Sequence, residues 1–491
     1  MFRAWFLTLL SVLTVAHADE VNEAPADAAV PDIEDITDQM REWNSDASPQ
    51  PPRNFRSGHV SPAKISKHAI KTEARGFKVQ LPGYSRVVTP AVHNGKVIAS
   101  GGFSSQQIFA FNARTGDFEW GVNLDDDGPS TIACEGETCV FNTESCTIFA
   151  LNSETGAHKW SLWMGDPMMS APSIARGRVF TAYPAHGNRP HRDASHALAA
   201  LDLETGEILW QRWLDADIMS APVATDGELY VTTFNGTLMK LDQKTGTILS
   251  AVKARATSAP IIVGSEVYYT RRSETSGSAR ESVAAAGRGD AKLMRQVATK
   301  DAPYLDASVQ QRSAMASEGK VLDAGNGFGG GAPASAAAHK ALATVGQGSV
   351  STLQGYQGSR ILNVGGTNIN TMGDEVVATV ARTGERLWTH ELPGNMRHAG
   401  GFLAAPPIVA GGWVFVATLQ GEVQMLDPTD GRLVKSYDIG SALRSQPVIE
   451  NGMIYVGTEN GILVGIDTGD PELTGWPMWG KDAARTGSVA S

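Results

Sequence analysis

The sequence predicts an all-β chain folded as an eight-bladed β-propeller of four-stranded antiparallel blades. Three observations carry this expectation. A turn motif, Ala-x-Asn/Asp-x-x-Thr-Gly-x-x-x-Trp, recurs along the chain. Its copies fall mostly 40 to 50 residues apart, the length of one four-stranded blade. Ahead of the turns sits a second repeated piece: a small residue and Pro, a short apolar strand, a Gly turn, and another apolar strand.

The chain opens with a leader. Arg3 supplies a positive start, residues 4–15 are mostly apolar, and Ala16-His17-Ala18 is a small-residue cleavage site. This reads as a signal peptide over residues 1–18. Its apolar run falls short of the ~20 residues that a spanning helix needs, and no Cys stands at the cleavage site for a lipid anchor. A periplasmic or secreted protein without a membrane span is therefore expected. Residues 19–74, rich in Pro, Ala and charge, read as a flexible segment. Within it Ile33, Ile36, Met40 and Trp43 fall at helical spacing and mark a possible short helix.

The repeats occupy residues 75–475. Full copies of the turn motif end in Trp120, Trp160, Trp210 and Trp388; weaker copies carry Gly246, Gly431 and Gly469. From Gly116 onward the glycine spacings are 40, 50, 40, 138, 47 and 38. The long interval hides a fifth copy: Thr257-Ser-Ala-Pro-Ile-Ile-Val-Gly-Ser-Glu-Val-Tyr-Tyr-Thr270 opens a hairpin that lacks a matching turn. Residues 273–349, rich in Ala, Gly and Ser, read as an insertion in that blade, after which a new unit runs from near Tyr356 to Trp388. The count is then eight units. The extended stretch 76–81 is placed to pair with the last strands and close the ring, and residues 476–491 are left as a C-terminal tail.

The motif has a physical reason. Asn or Asp closes a side-chain turn onto the backbone, and Gly four residues on takes a positive φ at little cost. The Trp begins the next strand and can wedge between blades, so Trp120, Trp160, Trp210 and Trp388 are expected to be structural docking residues.

At these motifs the sequence resembles the pyrroloquinoline-quinone-like repeat family of eight-bladed quinoprotein propellers, over about residues 76–475. The closing phrase Trp476-Pro-Met-Trp-Gly-Lys-Asp-Ala-Ala-Arg-Thr-Gly487 is also common in such exported proteins. The resemblance implies one of two activities. Quinone-dependent alcohol and sugar dehydrogenases hold pyrroloquinoline quinone with calcium, whereas non-catalytic members such as BamB of outer-membrane assembly bind other proteins. This chain lacks the vicinal cysteine pair of many of the dehydrogenases and the Cys-x-x-Cys-His haem motif. The favoured reading is an exported, non-catalytic scaffold that is monomeric, needs no cofactor and binds an envelope or secreted protein. The alternative is a periplasmic quinoprotein dehydrogenase.

Composition excludes other classes. A formal charge of −11 and a pI near 5.5 argue against a nucleic-acid partner. Three cysteines rule out a disulfide-rich scaffold. Cys134 and Cys139 flank a four-residue hairpin turn that sets them opposite one another, the separation a disulfide needs, with Cys146 as the competing partner. His186, His191, His196 and Asp193 crowd one loop, read as solvated. The segments before the repeated prolines are expected to form the innermost strands and to gather Arg86, Asp166, Asp217, Arg255, Arg397 and Arg444 at the channel mouth, as candidate ligand residues or ion pairs.

Far-UV circular dichroism of the mature protein should accordingly show almost entirely β structure. Helix content near the globular average of about a third would contradict the propeller.

Overall fold

In the computed structural model the repeats form eight antiparallel blades of four strands, two of which carry a fifth strand from the N-terminal segment. The structure describes residues 33–487 apart from 46–47, 50–57, 85, 103–104, 144–146, 165–169, 186, 219, 276–277, 292, 302–360 and 396–402. The expected signal peptide, residues 1–18, lies outside the described residues. Blade 2 shows the pattern: strands Ala133–Glu135, Thr138–Asn142, Thr147–Asn152 and His158–Trp163, paired in chain order. There are eight such blades, as the repeat count requires.

The innermost strands are the short ones after each proline, such as Ser173–Ala175, Val223–Thr225 and Val448–Glu450; neighbouring blades meet through them. This corrects the expectation that the segments before Pro are innermost. Proline has no N–H to give to a ladder and restricts the residue before it, so the continuous ladder starts past Pro172, Pro222 and Pro447, with only isolated bridges such as Ile218–Thr233 ahead of it. Among the described residues, those ahead of the prolines form crossovers between blades without continuous strand pairing.

The boundary of the insertion also moves. Blade 5 comprises Ile261–Val263, Glu266–Thr275, Ser278–Gly287 and Leu293–Asp301, so its last two strands lie inside the stretch read as an insertion. Its turn is the missing copy: the Ala291 N–H donates to the Gly287 carbonyl at 2.9 Å, as the Gly246 N–H does to the Asp242 carbonyl at 2.8 Å. Ala284, Ala285 and Ala286 are fully buried there. Alanine has little preference for strands, but short side chains suit a seam between two blades, and packing overrides propensity. The remainder, 302–360, lies outside the described residues.

Ring closure follows the sequence. Gly76–Gln80 pairs antiparallel with Ile462–Asp467 and supplies the outer strand of blade 8. The described parts of the N-terminal segment, from residue 33 on, clasp the rim rather than forming a free tether. Asp35 bridges Val252 on the edge of blade 4, Val60–Pro62 pairs with Phe118–Leu124 of blade 1, and Ile70–Glu73 pairs with Gly76–Gln80. Helix α1 (Thr37–Trp43) buries Met40 and Trp43 against blades 3 and 4, and Trp43 stacks on His191 at 5.1 Å. Strand edges that would otherwise be open are thus covered.

One contact recurs at the seams. The Trp120, Trp160, Trp210 and Trp388 indole N–H groups donate to the Ser153, Leu203, Gln243 and Pro428 carbonyls of the following blade at 2.9–3.1 Å. Each ring lies flat on that blade's turn glycine: a Cβ on Gly206 would stand 2.6 Å from the Trp160 ring. At three of the four seams without the Trp, another donor reaches the equivalent carbonyl. Lys240 Nζ donates to the Arg288 carbonyl at 2.8 Å across the blade 4–5 seam, Arg295 Nη2 to that of Ala381 at 2.7 Å across 5–6, and the Tyr455 hydroxyl to that of Ala113 at 2.7 Å across 8–1. At that last seam Phe77 fills the ring position over Gly116. At the seventh seam Lys435 stands in the Trp place and lies 4.6 Å over the Tyr437 ring.

The cationic substitutes are held by carboxylates. Glu266 takes Arg295 in a bidentate pair at 2.7 Å on both arms, and these bonds hold its carboxyl below the usual range. Burial works to raise Glu228, but bonds from Lys240, Tyr230 and Arg288 outweigh it and its pKa is lowered.

Trp160→Ala or Trp210→Ala should cost about 3–5 kcal/mol in chemical denaturation, as other large-to-small core changes do. Gly206→Ala, at φ +73° against the Trp160 ring, should lower the melting temperature more than Gly264→Ala, at φ +59° with open space around it. Both seam carboxyls have depressed folded pKa values, so their stabilisation is complete above the ordinary glutamate value and fades as pH falls through the folded one. The melting temperature should therefore drop more steeply below pH 4.5 in the native chain than in Glu266→Gln.

Candidate functional site

The antiparallel meander gives the ring two unlike faces. The Gly hairpins and Thr-Gly turns lie on one; the crossovers before the prolines and the loops between second and third strands lie on the other, around the channel mouth.

Of the six mouth residues expected from sequence, Asp166 and Arg397 lie outside the described residues. The other four fall into two groups on opposite sides of the ring. Arg86 of blade 1 and Arg444 of blade 8 converge on Glu459, with N–O distances of 2.5 and 3.6 Å. Sequence reading missed Glu459, which sits in a loop with no motif around it. Asp217 and Arg255 precede the inner strands of blades 4 and 5. Asp217 is buried and takes the Ile218 N–H at 2.8 Å; Arg255 is exposed, with φ +51°. Beside them, the buried carboxylate of Asp215 accepts from Lys253 at 2.7 Å and Thr237 at 2.6 Å.

Next to the Arg86–Glu459–Arg444 cluster stands Tyr84, 70% exposed at φ +56°. A bulky residue at positive φ is uncommon. It is held by close backbone packing: a Cβ on Gly461 would fall 2.7 Å from the Tyr84 Cα. A large aromatic ring is thus presented to solvent beside a charged cluster.

The channel itself is occupied by the chain. Residues 476–487, expected to trail as a tail, run along its wall instead. The N–H groups of Val92, Ile174, Ala224 and Ile449, one from each of four inner strands, donate to the Pro477, Ala483, Ala484 and Trp476 carbonyls at 2.6–3.0 Å. The inner strand of a propeller has one edge without a strand partner, and these carbonyls satisfy it. Trp479 packs on Ala171 and Ala221 at the mouth. Arg485, 3% exposed, stacks 4.8 Å over Trp479 and donates to the Pro172, Trp479 and Thr131 carbonyls. Burial lowers its pKa, opposed by the nearby Asp482 carboxylate.

Other candidates have structural roles. Cys134 and Cys139 form a disulfide across the blade 2 hairpin with Cα atoms 4.1 Å apart; Cys146 is outside the described residues. In the His loop, His191 supports Trp43 and contacts Asp193, and His196 bonds Ser195; His186 is outside the described residues. Among the described residues no three His, Cys, Asp or Glu side chains come together as a metal site, and no helix is long and apolar enough to cross a membrane. On the turn face, a cavity of about 520 Å³ lies between blades 8 and 1, lined by His93, Arg114, Glu450, Tyr455 and Met478 among others. Its polar groups are committed to structure: Arg114 pairs with Asp467, and Glu450 accepts the Gly475 N–H.

An eight-bladed ring of Trp-docked repeats with a self-filled channel defines the chain as a propeller of the pyrroloquinoline-quinone-like repeat class. It belongs to the family described as outer membrane protein assembly factor BamB, whose model matches residues 63–185, 170–327 and 373–483. Among solved structures, BamB from Moraxella catarrhalis is similar at 16% identity and a TM-score of 0.51, over 81% of this chain and 97% of that one. The quinohemoprotein alcohol dehydrogenase from Comamonas testosteroni is similar at 13% identity and a TM-score of 0.52, over 82% of this chain and 77% of that one. A quinohemoprotein alcohol dehydrogenase from Pseudomonas putida HK5 gives 12% and 0.50 over the same shares. At these identities the likeness shows the fold alone. No curated protein matches in sequence.

Deleting residues 476–491 should leave the four inner-strand amides without acceptors. Hydrogen exchange at Val92, Ile174, Ala224 and Ile449 should then accelerate well beyond that of second-strand amides in the same blades.

Proposed function

We propose that the protein is an exported, non-catalytic scaffold of the cell envelope that binds another protein at the channel mouth. The observation that carries this reading is the filling of the channel by residues 476–487: the axis of the ring is spent on the chain's own segment, and the groups left to solvent are those of the rim. Tyr84 supports a protein partner in particular. Exposed aromatic residues beside arginines are the usual anchors of protein interfaces, and the Tyr84 backbone is held by its packing on Gly461, which reduces the ordering cost of binding. The family's description as an outer membrane assembly factor and the sequence of the leader agree with an envelope location.

The quinoprotein reading finds less support in the side chains. Calcium takes six to eight oxygens, usually including carboxylates. Three of the described mouth carboxylates are engaged with arginine, lysine or backbone groups: Glu459 with Arg86, Asp215 with Lys253, Asp217 with the Ile218 N–H. These residues do not fit the quinone–calcium pair.

Two measurements test the proposal. A photo-crosslinking residue in place of Tyr84 should capture a partner in intact cells, whereas one at Gly136, on the opposite face, should not. Incubation with pyrroloquinoline quinone and calcium should give no dye reduction with alcohols or sugars. Turnover that disappears without calcium would defeat the scaffold reading.

A further inference from the structure

We propose that the seam between blades 4 and 5 binds a small tetrahedral oxyanion, of phosphate or sulfate size, on Arg271. This goes beyond the scaffold reading and does not depend on it. Arg271 lies where the second strand of blade 5 reaches the mouth, bridged to Ala256 beside Arg255. It is 2% exposed, and its Nε and Nη1 have no hydrogen-bond partner. Tyr269, two residues earlier on the same face of that strand, is fully buried, and its hydroxyl has no partner either. Across the seam, Thr232 of blade 4 is 2% exposed with an unpartnered Oγ1. It shares a face of its strand with Tyr230, which packs with Tyr269 in the common core of blades 4 and 5.

Two blades thus bury four unsatisfied polar atoms on the strand faces turned to one apolar-walled seam. A buried polar atom without a partner is costly, and a guanidinium more so than a neutral group. All four can donate, so the missing species is an acceptor. Arg255 adds a second positive charge beside Arg271, so the acceptor that suits the site carries negative charge. Water would satisfy hydrogen bonds but leave the positive charge of the seam in place. Phe234, Ala254, Ala256 and Ala259 wall the seam with apolar surface, which strengthens a charge pair formed there. The exposed side chain of Arg255 marks the approach from solvent. The seam is also one without a docking tryptophan, since Ser250 stands in that place, so an anion would tie together two blades that lack the usual clamp.

The test is thermal unfolding of the full-length mature protein in phosphate, sulfate or chloride at equal ionic strength and pH, with phosphate binding followed by calorimetry. Phosphate and sulfate should raise the melting temperature saturably over chloride. Arg271→Gln should abolish the rise. Tyr269→Phe, which removes one donor and keeps the ring, should weaken binding roughly tenfold, the scale of one hydrogen bond to a charged group. Should Arg271→Gln fail to fold, Tyr269→Phe decides alone. A rise that is linear in salt and equal in the native chain and Tyr269→Phe, or no rise at all, would overturn the site.

Discussion

The ring depends on one backbone carbonyl in each of the first seven blades, the first in the turn that joins the third and fourth strands. The preceding blade must reach that oxygen across the seam, and the turn glycine beneath must be bare for a ring to lie on it. Trp120, Trp160, Trp210 and Trp388 meet both demands with one side chain, supplying apolar area and an N–H together. Elsewhere the two demands are divided. At the closing seam Phe77 provides the area and Tyr455 the hydrogen bond. At the seams around blade 5, Lys240 and Arg295 provide the donor, and carboxylates hold these cations in place. The acceptor is constant while the donor varies, which lets the repeats diverge in sequence without losing the geometry of the ring.

The channel obeys a related constraint. Inner strands of three or four residues line the axis, and on that side they have no neighbour in their own sheet. Residues 476–487 answer this by laying carbonyls against four of the eight inner strands and by filling the axis with Trp479 and Arg485. A propeller plugged in this way has spent its centre on stability. Its remaining chemistry is at the rim, where Tyr84 stands beside Arg86, Glu459 and Arg444, and in the seams, where Arg271 keeps two nitrogens unpaired.

The rim is closed by the N-terminal segment as much as by the blades. Strand pairing at blades 1, 4 and 8 and the packing of α1 on blades 3 and 4 cover outer edges that would otherwise invite association with other chains. His191 belongs to this device: the loop that groups it with other metal-capable residues serves as a platform for Trp43.

The sequence by itself determined the architecture, because each blade must carry a local signal. The Asn or Asp, the Thr and the Gly of a turn act within five residues, and the Trp follows at fixed spacing, so seven of the eight turns and the closing strand at Gly76–Gln80 are legible without coordinates. The opposition of Cys134 and Cys139 is local in the same sense, set by a short hairpin turn. What the tertiary structure decided is whatever depends on a neighbour distant in sequence. The third strand of blade 5 is Ala-rich and shows no strand signal; burial of Ala284, Ala285 and Ala286 between blades makes it a strand. Residues 476–487 have no regular pattern because their partners are amides from blades 1, 3, 4 and 8. Glu459 gathers Arg86 and Arg444 over separations of 373 and 15 residues, and no spacing rule reaches from one crossover to another across a closed ring. Turn chemistry is written in consecutive residues, whereas the contents of a seam, a mouth or a channel are set by which blades the ring brings together.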